Sequence, residues 1–153
     1  MEKIYGAQGP DNRLIRISRK KFEIIYGYGV EDGNGYNYRQ RFDHIPTEEE
    51  ARECIEGQIN AHASEVILSG MTWNGAVVWL SMENQQNYSA AVLRGTVPVT
   101  VKLGNDQEET FSTMEELREF HCAVVDHIEQ TQQAAWADKR AVDYSVFLTP
   151  QDV

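Results

Sequence analysis

Residues 21–50 read KFEIIYGYGVEDGNGYNYRQRFDHIPTEEE, and the way this stretch divides decides the fold. Glycines at 27, 29, 33 and 35 crowd its middle, as they would in a phosphate-cradling loop. A dinucleotide fingerprint, however, needs glycines at the first, third and sixth places with a helix opening at once. Counted from Gly27, the sixth place holds Asp32. No GK[ST] phosphate loop occurs anywhere. From Lys21 to Gly29 the chain alternates instead, placing Phe22, Ile24, Tyr26 and Tyr28 on one face, the period of a half-buried strand. Tyr36, Tyr38 and Phe42 then take one face of a second strand, with Asn37, Arg39 and Arg41 on the other. The intervening VEDGNG supplies Asp, Asn and Gly, which tolerate positive φ, so the two runs are predicted to pair as a hairpin.

The end of the quoted stretch opens a helix. Pro46 precedes Thr47 as N-cap, Glu50 completes a capping box, and Glu48 and Glu49 suit the positive end of the helix dipole. Ala51, Cys54, Ile55, Ile59 and Ala63 form its apolar stripe. Residues 65–81, EVILSGMTWNGAVVWLS, read as two apolar runs about Asn74-Gly75, a strong signal for a tight hairpin. A second helix starts at Ser81 as N-cap, with Glu83 in its first turn, and runs to about Leu93 before Gly95. VPVTVKL reads as a strand and GNDQEE as a turn, and a short strand follows at Thr110 and Phe111. Thr113 to Glu116 is another capping box, and the helical pattern then persists through Leu117, Phe120, Val124, Ile128, Ala135 and Val142, with no Gly or Pro before Pro150. The predicted class is α+β: antiparallel β-hairpins with two shorter helices and a long C-terminal helix. A division near Gly70 gives residues 1–69 as a hairpin-plus-helix lobe and residues 70–153 as a hairpin-helix-strand-long-helix lobe, with one shared core as the alternative.

The formal net charge of −10 is unevenly spread. Residues 1–45 hold eight Lys/Arg against six Asp/Glu, whereas residues 46–153 hold six against eighteen. Coulomb repulsion argues against nucleic acid and anionic membrane as partners. The basic run RLIRISRKK, residues 13–21, has no interleaved aromatics for stacking on bases and reads as an edge strand whose cations discourage aggregation. No window approaches eighteen consecutive apolar residues and the N-terminus lacks the layout of a secretory signal, so a soluble protein made in the cytoplasm is expected. Cys54 and Cys122 form neither a CxxC site nor a disulfide framework and are expected to be reduced and buried.

Catalytic templates are not met. His121, Cys122 and Asp126 suggest a nucleophile, but adjacent helical residues point about 100° apart. His121 and His127 miss the spacing that puts two ligands on one helical face, and His44 and His62 lie on separate elements. The carboxylate clusters at 48–50, 108–109 and 115–116 coincide with helix starts and a turn. No catalytic residue, cofactor or metal ligand is therefore assigned. In VWLSMENQQNYSAAV, residues 78–92, Ser81, Asn84, Gln85, Gln86 and Asn87 crowd the first turns of a helix. They either satisfy backbone groups of a neighbouring loop or strand or belong to an interface between chains. Trp73, Trp79, Asn84, Gln85, Asn87 and Tyr88 are the candidate interface residues.

The segments YGYG, YNYRQRFDHIPTEEE, ILSGMTWNG, VWLSMENQQNY, PVTVKLG and FSTMEELREFHCAVVDHIEQT cover nearly the whole chain. Together they resemble a family of small proteins encoded by phages and prophages of gut bacteria. From Trp73 onward the chain is also similar to a domain of unknown function found in phage tail-fibre-associated proteins. The resemblance implies a non-enzymatic structural or accessory protein, tail-associated, that contacts other tail proteins or its own copies, in the host cytoplasm or in the virion. The alternatives are a cytoplasmic tail-assembly factor or chaperone not retained in the virion, and a small enzyme with an unrecognised site.

Overall fold

The hairpin read from residues 21–42 is the centre of a five-stranded sheet in the computed structural model, which describes residues 1–153. Its strands are β1 (Glu2–Tyr5), β2 (Arg13–Ser18), β3 (Lys21–Glu31), β4 (Asn34–Phe42) and β9 (Gln151–Asp152), in the order β1-β4-β3-β2-β9. Every pairing is antiparallel except β2 with β9. The turn of the hairpin is tighter than VEDGNG suggests: Glu31 pairs with Asn34, and only Asp32 and Gly33 lie between. Their φ values of 50° and 79° are the two consecutive positive angles of a type I′ turn, whose twist matches that of the strands it joins.

The structure departs from the sequence-based expectation at Tyr28 and along the basic run. Tyr26 pairs with Tyr38 but Tyr28 with Asn37, so Gly27, at φ 64°, is an extra residue in β3 and forms a bulge. The alternation therefore reverses, and Tyr28 joins the Asn37 face while Phe22, Ile24 and Tyr26 keep the other. The basic run is likewise not a bare edge. Leu14 is wholly buried, and β9 returns from the C-terminus to pair with Ile15 and Arg16. Neither β1 nor β9 is long enough to display a period in sequence.

Helix α1 (Glu48–Ser69) begins with the predicted capping box. The Glu50 N–H donates to Thr47 Oγ1 at 3.2 Å, and the Thr47 N–H donates to Glu50 Oε2 at 2.8 Å. The helix continues through Val66, Ile67 and Leu68, so the opening of the first apolar run in 65–81 is helical and only a short hairpin remains, β5 (Met71–Trp73) with β6 (Ala76–Val78). Helix α2 (Met82–Arg94) is capped at Ser81, whose Oγ accepts the Asn84 N–H at 3.2 Å, and ends at Gly95 in the left-handed region. Strands β7 (Val99–Lys102) and β8 (Glu108–Phe111) pair antiparallel. Helix α3 (Met114–Ala141) is the longest at 28 residues and opens on the second capping box, the Glu116 N–H to Thr113 Oγ1 at 3.2 Å and the Thr113 N–H to Glu116 Oε2 at 3.3 Å. A short 3-10 helix, Tyr144–Phe147, precedes β9. The class is α+β.

The chain packs as two compact units, Met1–Asn60 with Lys139–Val153, and Ala61–Asp138. This division lies inside α1 and α3, not at Gly70, and it returns the last fifteen residues to the first unit. In the first unit Leu14, Phe22 and Ile24 are buried together with Ala51, Ile55 and Ile59 of α1, three positions four apart that make one helical stripe. Phe147 completes this core and meets the Tyr26 ring edge-on at 6.3 Å. The second unit is built around Phe120, whose ring lies 4.9 Å from Tyr88, 5.2 Å from Phe111 and 5.5 Å from Trp73. Burying such a ring contributes about 1.5–3 kcal/mol before any ring-ring preference is added.

Candidate functional site

The polar cluster at the start of α2 resolves into structural and exposed members. Asn84 Nδ2 donates to the Trp79 carbonyl at 2.9 Å and more loosely to that of Leu103 at 3.4 Å. Gln85 Nε2 donates to the Leu80 carbonyl at 2.8 Å. These amides satisfy main-chain acceptors where β6 hands over to α2, and that role accounts for Asn84 and Gln85 at these positions. Tyr88 is buried, donates its hydroxyl to the Lys102 carbonyl at 2.7 Å, and presents no surface to a partner; burial raises its phenol above the ordinary range. Trp73 packs on Phe120, and its indole N–H is buried without a hydrogen-bond partner.

Trp79 and Asn87 remain open. Trp79 is 48% exposed, and near it in sequence Val77 is 36% and Met82 65% exposed. Val77 and Trp79 are two residues apart on an extended segment and so face the same way. The indole rests on Gly104: a Cβ there would lie 2.9 Å from Trp79 Cδ1 and 2.9 Å from the Val77 carbonyl oxygen. The glycine thus lets the β7–β8 turn approach closely and hold the ring. Asn87 lines a groove of about 550 Å³ between α2 and β7, together with Asn84, Ala91, Arg94 and Thr100.

On the sheet of the first unit, sequence reading missed a second cluster. Glu23 is 3% exposed and is held by Arg39 Nη1 at 3.1 Å and Arg41 Nε at 2.9 Å; Arg39 Nε also donates to the buried Asn37 Oδ1 at 3.1 Å. A hollow of about 260 Å³ opens beside them, with Glu2 on its rim. The bond to Glu23 raises the Arg41 pKa. The signal was present in the alternation of Asn37, Arg39 and Arg41 on one strand face, but the buried carboxylate that organises them lies on the neighbouring strand. Two cations balance Glu23 and Glu2, so the cluster keeps its charge within itself.

At the N-terminus of α1, His44 Nδ1 lies 2.6 Å from Asp43 Oδ1, and Nε2 lies 3.0 Å from the Glu50 carboxylate. Hydrogen bonding to Asp43 and then to Glu50 raises the histidine pKa. His121 contacts Ser89 Oγ at 3.2 Å. Cys122 is exposed, against expectation: Leu117, Phe120 and Val124 define the buried stripe of α3, and a residue two beyond Phe120 points away from it. Cys54 is half-buried, and burial pushes its thiol pKa up to about 11. No group of three or more His, Cys, Asp and Glu side chains is arranged to hold a metal ion, and no helix is long and apolar enough to cross a membrane.

No curated protein and no solved structure matches the chain. Residues 44–152 match the family model of a domain of unknown function, DUF4376. The match takes in α1, the whole second unit, the 3-10 helix and β9, and leaves out the β1–β4 sheet. On this match the chain belongs to the DUF4376 family.

Proposed function

We propose that this chain is a non-enzymatic structural or accessory protein of a phage or prophage, tail-associated, which works through protein–protein contacts. The observation that carries the reading is Trp79, a large aromatic left 48% exposed and held by Gly104, with Val77 and Met82, near it in sequence, exposed as well. Aromatic anchors on a rigid base are the residues that most often dominate binding energy at interfaces. The sequence resemblance to small phage and prophage proteins supplies the setting, and the acidity of the chain suits a component that must avoid non-specific adhesion.

The test is quantitative mass spectrometry of purified particles against lysate from cells that encode the chain, with wild type and Trp79→Ala side by side. A fixed copy number per particle, lost in Trp79→Ala, is the expected result. Because the ring is half exposed, the substitution is expected to cost the isolated fold about 1 kcal/mol or less, as read by denaturant unfolding. Absence of the wild-type chain from particles would sink the structural role.

A further inference from the structure

The groove between α2 and β7 has a feature that an ordinary crevice lacks. Four consecutive residues, Val99 to Lys102, line it, although neighbours in a strand point to opposite faces. It therefore opens along the edge of β7. The Leu103 N–H donates to the Gln107 carbonyl at 2.9 Å, a bond just past the last β7–β8 pair that continues its register and sets the phase of the ladder. By alternation Val101 and Val99 also bond to β8, whereas Thr100 and Lys102 direct their main-chain groups outward. The Thr100 and Thr110 hydroxyls touch at 2.8 Å across the ladder, as side chains of a non-hydrogen-bonded pair do. On the outward edge Tyr88 takes the Lys102 carbonyl, while the N–H and C=O of Thr100 face the groove.

Charge narrows the occupant. Residues 61–138 contain three Lys/Arg against eleven Asp/Glu, and two of the three cations, Arg94 and Lys102, line this groove. Glu83 lies at the other end of α2 from Arg94. An acidic side chain is therefore favoured beside Arg94 and beside Lys102 and disfavoured over most of the remaining surface of this unit. Ala90 and Ala91 leave room between the polar ends.

We propose that the groove takes an extended, acid-bearing segment of a partner protein as an added strand, its backbone pairing with Thr100 and its carboxylates meeting Arg94 and Lys102. Strand addition beside a helix obtains affinity from main-chain hydrogen bonds and selectivity from what lines the groove. The proposal rests on the protein-contact reading above.

The test uses the full chain and fluorescence anisotropy with a labelled eight-residue peptide of alternating Val and Asp. Saturable binding is expected, weakened about tenfold or more by Arg94→Glu, as for loss of a charge contact at an interface. The same peptide with alternate backbone amides N-methylated, a change that leaves the protein untouched, is expected not to bind, and neither is a Val–Lys peptide. No binding of the Val–Asp peptide, or binding indifferent to Arg94→Glu or to N-methylation, would overturn the proposal, as would preferential uptake of the Val–Lys peptide. If the peptide fails while Trp79→Ala still removes the chain from particles, the groove proposal falls and the contact reading stands.

Discussion

His44 sits between two carboxylates, and each of its ring nitrogens has one to meet. The contacts to Asp43 and Glu50 hold its pKa above the ordinary value of about 6.5, so its contribution is fully present below that value and is lost as pH rises through the raised one. Glu50 moves the opposite way: the Thr47 N–H, and then His44, hold it below the usual carboxylate range, so its contribution is present above about 4.3 and is lost as pH falls. The start of α1 is therefore expected to be best held between these limits. An NMR titration of the His44 ring should give a midpoint above that of a free histidine, and Glu50→Gln should lower it; a midpoint at the free value would mean that the contacts do not persist in solution. At this scale the capping role of Glu50 was legible from Thr47 three positions earlier, because the pairing is local. The second role was not, because it depends on where the chain entering the helix turns His44. Likewise the amides of Asn84 and Gln85 were conspicuous in sequence, but their acceptors, the carbonyls of Trp79 and Leu80, are identified only by the turn between strand and helix.

Elements here are delimited by short-range chemistry and aimed by long-range packing. The Thr113–Glu116 box is the clearest start signal in the chain, and Thr113→Ala is expected to cost about 1 kcal/mol, read as a lower denaturant midpoint with an unchanged slope. A change of slope would mean that the start of α3 unfolds separately from the rest. The start of α1 is equally plain and its end is not, since Val66 and Ile67 suit a strand by residue type but continue the helix to Ser69. In β3 the sequence alternates without a break through Gly27, whereas in the sheet the bulge there reverses the alternation and sends Tyr28 to the opposite face. Nothing in a run of apolar and polar residues marks an inserted position; only pairing with β4 does.

For the whole molecule, the family boundary and the packing boundary do not coincide. The DUF4376 match starts at residue 44, but the first unit needs Leu14, Phe22 and Ile24 from outside it to accompany Ala51, Ile55, Ile59 and Phe147. A fragment of residues 44–152 is therefore expected to keep amide protection across 61–138 and to lose it in 44–60 and 139–152, as hydrogen exchange would show. Protection throughout would mean that the sheet is not what orders the first unit. The hairpin at 21–42, the Asn74-Gly75 turn, the Ser81 cap, both capping boxes and the long run of α3 can be read from local sequence, since each depends on dihedral preferences and hydrogen bonds among residues a few positions apart. Long-range packing alone returns the C-terminus to the first sheet, where Arg13 meets Gln151 across 138 positions, and leaves Trp79 largely exposed while Trp73 and Tyr88 are covered. Those outcomes depend on which apolar surfaces find each other and exclude water, and no local window of the chain contains both partners.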